Sequence, residues 1–223
     1  MASHLDLEEQ EQLDELKHFW KTYGNLISWV LIIILGAYSG WTGYQYWQRS
    51  QAAKASALFD EVERAVAASD VVRVERSWTD MKEKFGSTTY AQQAALLAAK
   101  SLQVQGKSDA ARAALQWVID QSSDTAYRDI ARLRLAAFQL EAKSYDDALK
   151  LLSAPFEGDI SALAADLKGD VLMAKEHSAE AVVAYRQAWQ AMPAQTEYRR
   201  LVQAKLHALG QDPEASAAVE AHK

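Results

Sequence analysis

Carboxylates are the commonest reactive side chains in this chain, and their spacing decides whether they could work in pairs. Asp60–Glu61 and Asp146–Asp147 are adjacent in sequence. Acid–base catalysis needs two carboxyls converging on one bond, whereas neighbours on a helix point to different sides. The histidines (His4, His18, His177, His207 and His222) are dispersed, with no cluster of metal-ligand spacing. Cysteine is absent, which removes disulfides, thiolate metal sites and thiol nucleophiles. Neither a glycine-rich phosphate loop nor an HExxH or GxSxG motif occurs. These residue types predict a non-catalytic protein with no cofactor, no metal and no small-molecule substrate. The net charge is −6 and the basic residues are scattered, so no nucleic-acid platform is expected either.

What remains is a binding surface, and helices must present it. Alanine is abundant, while the 223 residues hold only 3 prolines and 9 glycines. Alanine costs least to place in a helix, so the composition favours an all-α fold. No alternating strand run stands out.

The first long element is a different kind of helix. No Asp, Glu, Lys or Arg occurs from Thr22 to Gln48. As a helix, Leu26–Trp47 would run about 33 Å, enough for a hydrocarbon core of about 30 Å. A soluble core helix would carry a polar face, and this segment has none. Trp20 and Tyr23 stand at one boundary, with Trp41, Tyr44, Tyr46 and Trp47 near the other, where rings with an apolar body and a wet tip suit the headgroup layer. A cleavable export signal needs a short basic leader. Here the leader is acidic (Asp6, Glu8, Glu9, Glu11, Asp14, Glu15), although "ASA" at Ala55–Ala57 has the form of a cleavage site. An uncleaved single span is therefore expected. Gly36, Ser39, Gly40 and Gly43 form two small-xxx-small pairs, a spacing that lets membrane helices pack closely. Lys17 and Lys21 at one end balance Arg49 and Lys54 at the other, so charge bias alone leaves the orientation open.

Residues 1–21 read as an acidic amphipathic arm, with Leu13, Leu16 and Trp20 at helical spacing. Residues 22–48 are the span. Residues 49–87 form a helical hairpin linking span to repeats, with Ser69–Asp70 at its turn and Val71, Val74, Trp78, Met81 and Phe85 on one face. Residues 88–210 form a repeat domain with a capping helix, and residues 211–223 a flexible tail.

The repeat reading rests on spacing. Ala181, Tyr185, Ala188 and Pro193 fall at offsets 0, +4, +7 and +12, with Gly169 twelve residues before Ala181. That is the spacing of a tetratricopeptide repeat (TPR), whose small residue sits where two helices cross. Tyr145, Ala148 and Leu152, and Gly106, Ala111, Leu115 and Val118, repeat the pattern. The match is loose. Lys168 replaces an apolar residue, and Ala95, Arg132 and Ala165 stand where tryptophan is favoured. The expected fold is thus one transmembrane helix followed by a TPR-like helical-hairpin array, an α-solenoid. In such arrays the first helices of successive pairs line a groove. The register assigns Gln93, Leu96, Lys100 and Gln103, then Ile130, Leu133, Ala137 and Leu140, then Leu163, Asp166, Asp170 and Met173 to that partner or client groove.

The stretches "GWTGYQYWQRSQAAKASALFDEVERAV", "YAQQAALLAAKSL", "ARLRLAAFQLEAKSYDDALKLL" and "AADLKGDVLMAKEHSAEAVVAYRQAW", in that order, resemble the YfgM family of ancillary subunits of the bacterial SecYEG translocon. The resemblance covers roughly residues 12 to 209 and rests on segment order rather than one motif. It implies a single-pass inner-membrane protein with a cytoplasmic amino terminus and a periplasmic TPR-like domain. It also implies association with SecYEG and with a PpiD-like chaperone, and a role in handing newly translocated polypeptides to periplasmic chaperones. The alternative left by the residues themselves is a cytoplasm-facing, membrane-anchored scaffold with no translocon role.

Overall fold

The computed structural model describes residues 7–214, and every regular element among them is a helix. These are α1 (Leu7–Ala67), α2 (Val71–Phe85), α3 (Thr89–Val104), α4 (Ser108–Gln121), α5 (Thr125–Glu141), α6 (Tyr145–Leu151), α7 (Ile160–Ala174), α8 (Ser178–Ala191) and α9 (Glu197–Ala208). Two compact units divide the chain, with the boundary between Ala53 and Lys54, inside α1.

In the first unit the side chains from Leu26 to Leu35 are exposed apart from half-buried Ile27, and none of the most apolar window is buried. The helix is long and apolar enough to cross a membrane. Three of its hydroxyls, on Thr22, Ser28 and Thr42, bond back to the helix's own carbonyls. Ser28 Oγ donates to the Gly24 carbonyl at 2.8 Å and Thr42 Oγ1 to the Tyr38 carbonyl at 3.0 Å. Such back-bonding spares the helix an unpaired donor where no water is present. The helix runs without a break through positions 21/22 and 48/49. Ala55–Ala57 also lies inside it, with Ala55 fully buried in the core of the second unit.

The second unit is a chain of hairpins built on one repeated turn. Ser69, Gly106, Lys143, Glu176 and Gly210 all have left-handed backbone, with φ of 54°, 76°, 59°, 64° and 70°. After each, the next residue's N–H donates to the carbonyl five residues back. The pairs are Asp70 to Ala65, Lys107 to Leu102, Ser144 to Gln139, His177 to Leu172 and Gln211 to Leu206, at 2.8–3.0 Å. This helix-terminating motif satisfies carbonyls that the last turn leaves free. The final turn of α1 thus ends as the final turns of α3, α5, α7 and α9 do. By this register α1 and α2 are a repeat of the array, and α9 takes the place of a further first helix.

Past Gly210 the chain turns back. Gln203 Nε2 donates to Glu214 at 3.2 Å, Asp212 Oδ1 accepts from the Glu214 N–H at 2.9 Å, and Pro213 is buried. The flexible tail expected from Gln211 lies beyond Glu214 outside the described residues.

Small residues set the helix spacing. Ala91, Ala94, Ala95, Ala98 and Ala99 of α3 are buried together, so neighbouring backbones approach closely on more than one side. Ala111, Ala148 and Ala181, the anchor residues of the repeat pattern, are all fully buried. At Gly169 a methyl group would stand 2.4 Å from the Tyr185 ring; the large residue fills the space the small one leaves. Trp78 of α2 and Trp117 of α4 meet edge to face, 5.0 Å between centroids, an arrangement favoured by the ring quadrupoles.

The α5/α6 unit departs from the pattern. α6 has only 7 residues, and the connection to α7 is fastened by Arg132. Its guanidinium donates to the carbonyls of Leu151, Ala154 and Pro155 at 2.8–3.4 Å. It pairs with Asp129 at 3.0 Å and lies 4.0 Å from the centroid of Phe156. The other Asp129 oxygen accepts from the Glu157 N–H at 3.2 Å. Arginine occupies a tryptophan-favoured position because the longer connection offers carbonyls only a planar multi-donor group can reach together.

Candidate functional site

The groove positions lie on α3, α5 and α7, the first helices of their hairpins, at matching distances from the left-handed residue. Their neighbours occupy many of them. Gln93 donates to the Tyr127 hydroxyl at 2.8 Å and Gln103 to Glu141 at 3.1 Å, while Arg134 donates to the Leu96 carbonyl at 3.1 Å. These bonds lace α3 to α5. Leu96 is buried, Ile130, Leu133 and Leu140 are half-buried and packed against the core, and Ala137 is half-buried.

The acids on α7 are engaged more tightly. Lys205 of α9 reaches both Asp166, at 2.8 Å, and Asp170, at 2.7 Å. Tyr198 donates to Asp166 and Tyr185 to Asp170, each at 2.7 Å. The Asp166 side chain is only 3% exposed. Burying a charge demands this many partners, since a lone carboxylate there would cost several kcal/mol. Burial first, then the bond to Asp170, pushes the Tyr185 phenol well above its ordinary range. Burial and then Asp166 do the same to Tyr198. Both hydroxyls are therefore fixed donors at neutral pH. The cluster is a polar joint between α7 and the closing helix.

Two groove positions are exposed: Lys100, which has no ion-pair partner among the described residues, and Leu163, 40% exposed. The sequence reading missed Tyr127, Arg134, Tyr198 and Lys205, which supply the opposing half of these contacts. It placed the end of α1 in a linking hairpin and gave it no groove positions. Counting back from Ser69 as from Gly106 assigns Phe59, Glu63 and Val66 to the same register. The signal was present in the Ser69–Asp70 turn, 37 residues before Gly106.

In the first unit Trp20, Tyr23, Trp41, Tyr44, Tyr46 and Trp47 are all more than half exposed. At Gly36, Gly40 and Gly43 an added methyl group would meet nothing within 4 Å. Ser39, between them, is exposed. The small-residue face is open to a neighbour. Gly24 differs, because the Trp20 indole lies over it, 3.3 Å from where a Cβ would stand.

No group of three or more potential metal ligands occurs among the described residues. His177 sits 3.0 Å from Glu180 on the surface, an ordinary i, i+3 neighbour pair.

Comparison with known proteins covers nearly all of this architecture. A family profile described as a tetratricopeptide repeat-like domain matches residues 17–211. A protein of Neisseria gonorrhoeae named ancillary SecYEG translocon subunit is 36% identical over 210 residues, covering 94% of this chain and 100% of the relative. Proteins of the same name from Haemophilus influenzae and Escherichia coli are each 30% identical over 82% of this chain, covering 90% and 86% of the relatives. No solved structure matches.

Proposed function

This chain belongs to the family of ancillary SecYEG translocon subunits with a TPR-like domain, and from that premise we propose that it is a non-catalytic accessory subunit at the Sec translocon. The observation that carries the reading is the end-to-end likeness to the Neisseria relative, which takes in both the apolar span and the hairpin array. The proposed location is the bacterial inner membrane, with the amino terminus cytoplasmic and the repeat domain periplasmic. In this reading the span packs on other membrane helices through Gly36, Ser39, Gly40 and Gly43, with aromatic anchors at both boundaries. Residues 1–21, 22–48, 49–87 and 88–210 then correspond to arm, span, linking hairpin and interaction domain. The groove receives a PpiD-like chaperone or the emerging polypeptide, and the subunit hands new chains toward periplasmic chaperones. A repeat array suits this task, because it offers an extended surface with no reaction to perform.

The absence of cysteine makes a clean test. A cysteine introduced at half-buried Gln211, or at exposed Lys107, is expected to react with an impermeant thiol reagent in intact spheroplasts. Labelling only after lysis would overturn the orientation and favour the cytoplasm-facing scaffold. Purification in mild detergent is expected to recover SecYEG with the chain. Its consistent absence would overturn the translocon role.

A further inference from the structure

The rungs of the groove are not equally closed, and the difference points to one place for a bound segment. Between α3 and α5 the polar side chains bond across the rung, and between α7 and α9 Lys205 closes on both aspartates. Between the end of α1 and α3, as between α5 and α7, no such bond forms among the described residues, and at the α1/α3 rung a cavity of about 250 Å³ opens. Val66 and Leu97 form its apolar wall, Val104 stands at its rim 81% exposed, and Lys100 borders it. Gln105 and Ser101 line the same cavity, bonded to each other at 3.3 Å. Glu63 of α1 holds the register position that matches Lys100, yet no ion pair joins the two.

We infer that this cleft is a subsite for extended polypeptide, seating an aliphatic side chain against Val66, Leu97 and Val104 while an acidic side chain of the same segment meets Lys100. Three features select this occupant. Small-molecule pockets run to about 300–1,000 Å³ and enclose most of the ligand, so this open, smaller cleft suits one side chain rather than a whole molecule. An exposed valine at its rim offers apolar area that a docked side chain would remove from water. The ammonium of Lys100, unpaired among the described residues, supplies complementary charge, which sets register and partner choice more than raw affinity. The inference rests on the polypeptide-binding role proposed above and adds the place and the chemical class of segment.

The test uses the full chain in detergent and fluorescent peptides with one leucine beside a glutamate, a glutamine or a lysine in a Gly-Ser background. The Leu-Glu peptide is expected to bind most tightly. Lys100→Glu should weaken it by about tenfold, the effect of one close charge pair, and should shift preference to the Leu-Lys peptide. Val104→Ser removes apolar area without adding charge and should weaken the Leu-Glu and Leu-Gln peptides alike. Both residues are exposed, so unchanged helicity will separate lost binding from lost folding. Peptide binding indifferent to both substitutions would overturn the subsite and leave the broader role standing. Failure of every peptide to bind the parent chain would overturn both.

Discussion

The hairpins α5/α6 and α7/α8 close the same kind of helix crossing by opposite means. In α7/α8 a single small–large pair does it, with Gly169 admitting the Tyr185 ring and Asp170 holding its hydroxyl. In α5/α6 the crossing residue is Ala136, the second helix is short, and a buried charge fastens the added connection. The first solution is apolar shape plus one hydrogen bond. The second is a polar clamp whose loss exposes its own desolvation cost. Shape is written into the repeat period, while the clamp depends on residues outside it.

Breaking the clamp should have the larger effect. Arg132→Ala leaves Asp129, only 3% exposed, without its cation, and should destabilise the array by about 3–5 kcal/mol. Chemical denaturation would measure it, and amide exchange should show protection lost first in residues 152–159. Arg132→Lys should recover only part, since an ammonium cannot serve several carbonyls in one plane. In the other hairpin Gly169→Ala should cost about 1–3 kcal/mol through forced movement of Tyr185. A substantially smaller loss would mean that the ring has room to turn.

The polar joint beside Gly169 gives a pH signature on the alkaline side. The folded Tyr185 and Tyr198 phenols titrate above their unfolded value. Their stabilising contribution is therefore complete below about pH 10 and is lost as pH rises toward the folded values. A denaturation series from neutral to alkaline pH should show stability falling at the top, and Tyr198→Phe should reduce that slope. The smallest effect separates the turns. Lys143 and Glu176 hold a left-handed backbone costly for any residue with a Cβ. Lys143→Gly and Glu176→Gly should each raise stability by about 0.5–1 kcal/mol after glycine's own entropy cost. Equal gains would show that the two hairpins share one turn despite their different closures.

The same contrast explains how much was legible from sequence. The apolar span announced itself through 27 residues without a charge, and the hairpins through alanines at repeat spacing. Gly169 and Tyr185 were visible because both lie on the pattern. Register alone assigned Asp166 and Asp170 to the groove face of α7. Their partners were not readable, because Lys205 lies 35 or more residues away on a helix assigned only as a cap. Arg132 registered merely as a departure from consensus, since its carbonyl partners belong to an irregular connection with no period. The turn at the end of α1 was read as that of a linking hairpin, and only the shared left-handed residue shows that it follows the register of the other turns.

The crowded alanines of α3 carry a consequence for how this protein tolerates change. A methyl group is nearly the smallest thing that can be removed, so trimming that helix leaves hardly any void. Enlarging it is another matter, because each added carbon must push whole neighbouring coils apart. Sequence drift should accordingly be permissive toward shrinkage and harsh toward growth along α3, the reverse of what a leucine-filled interior would tolerate.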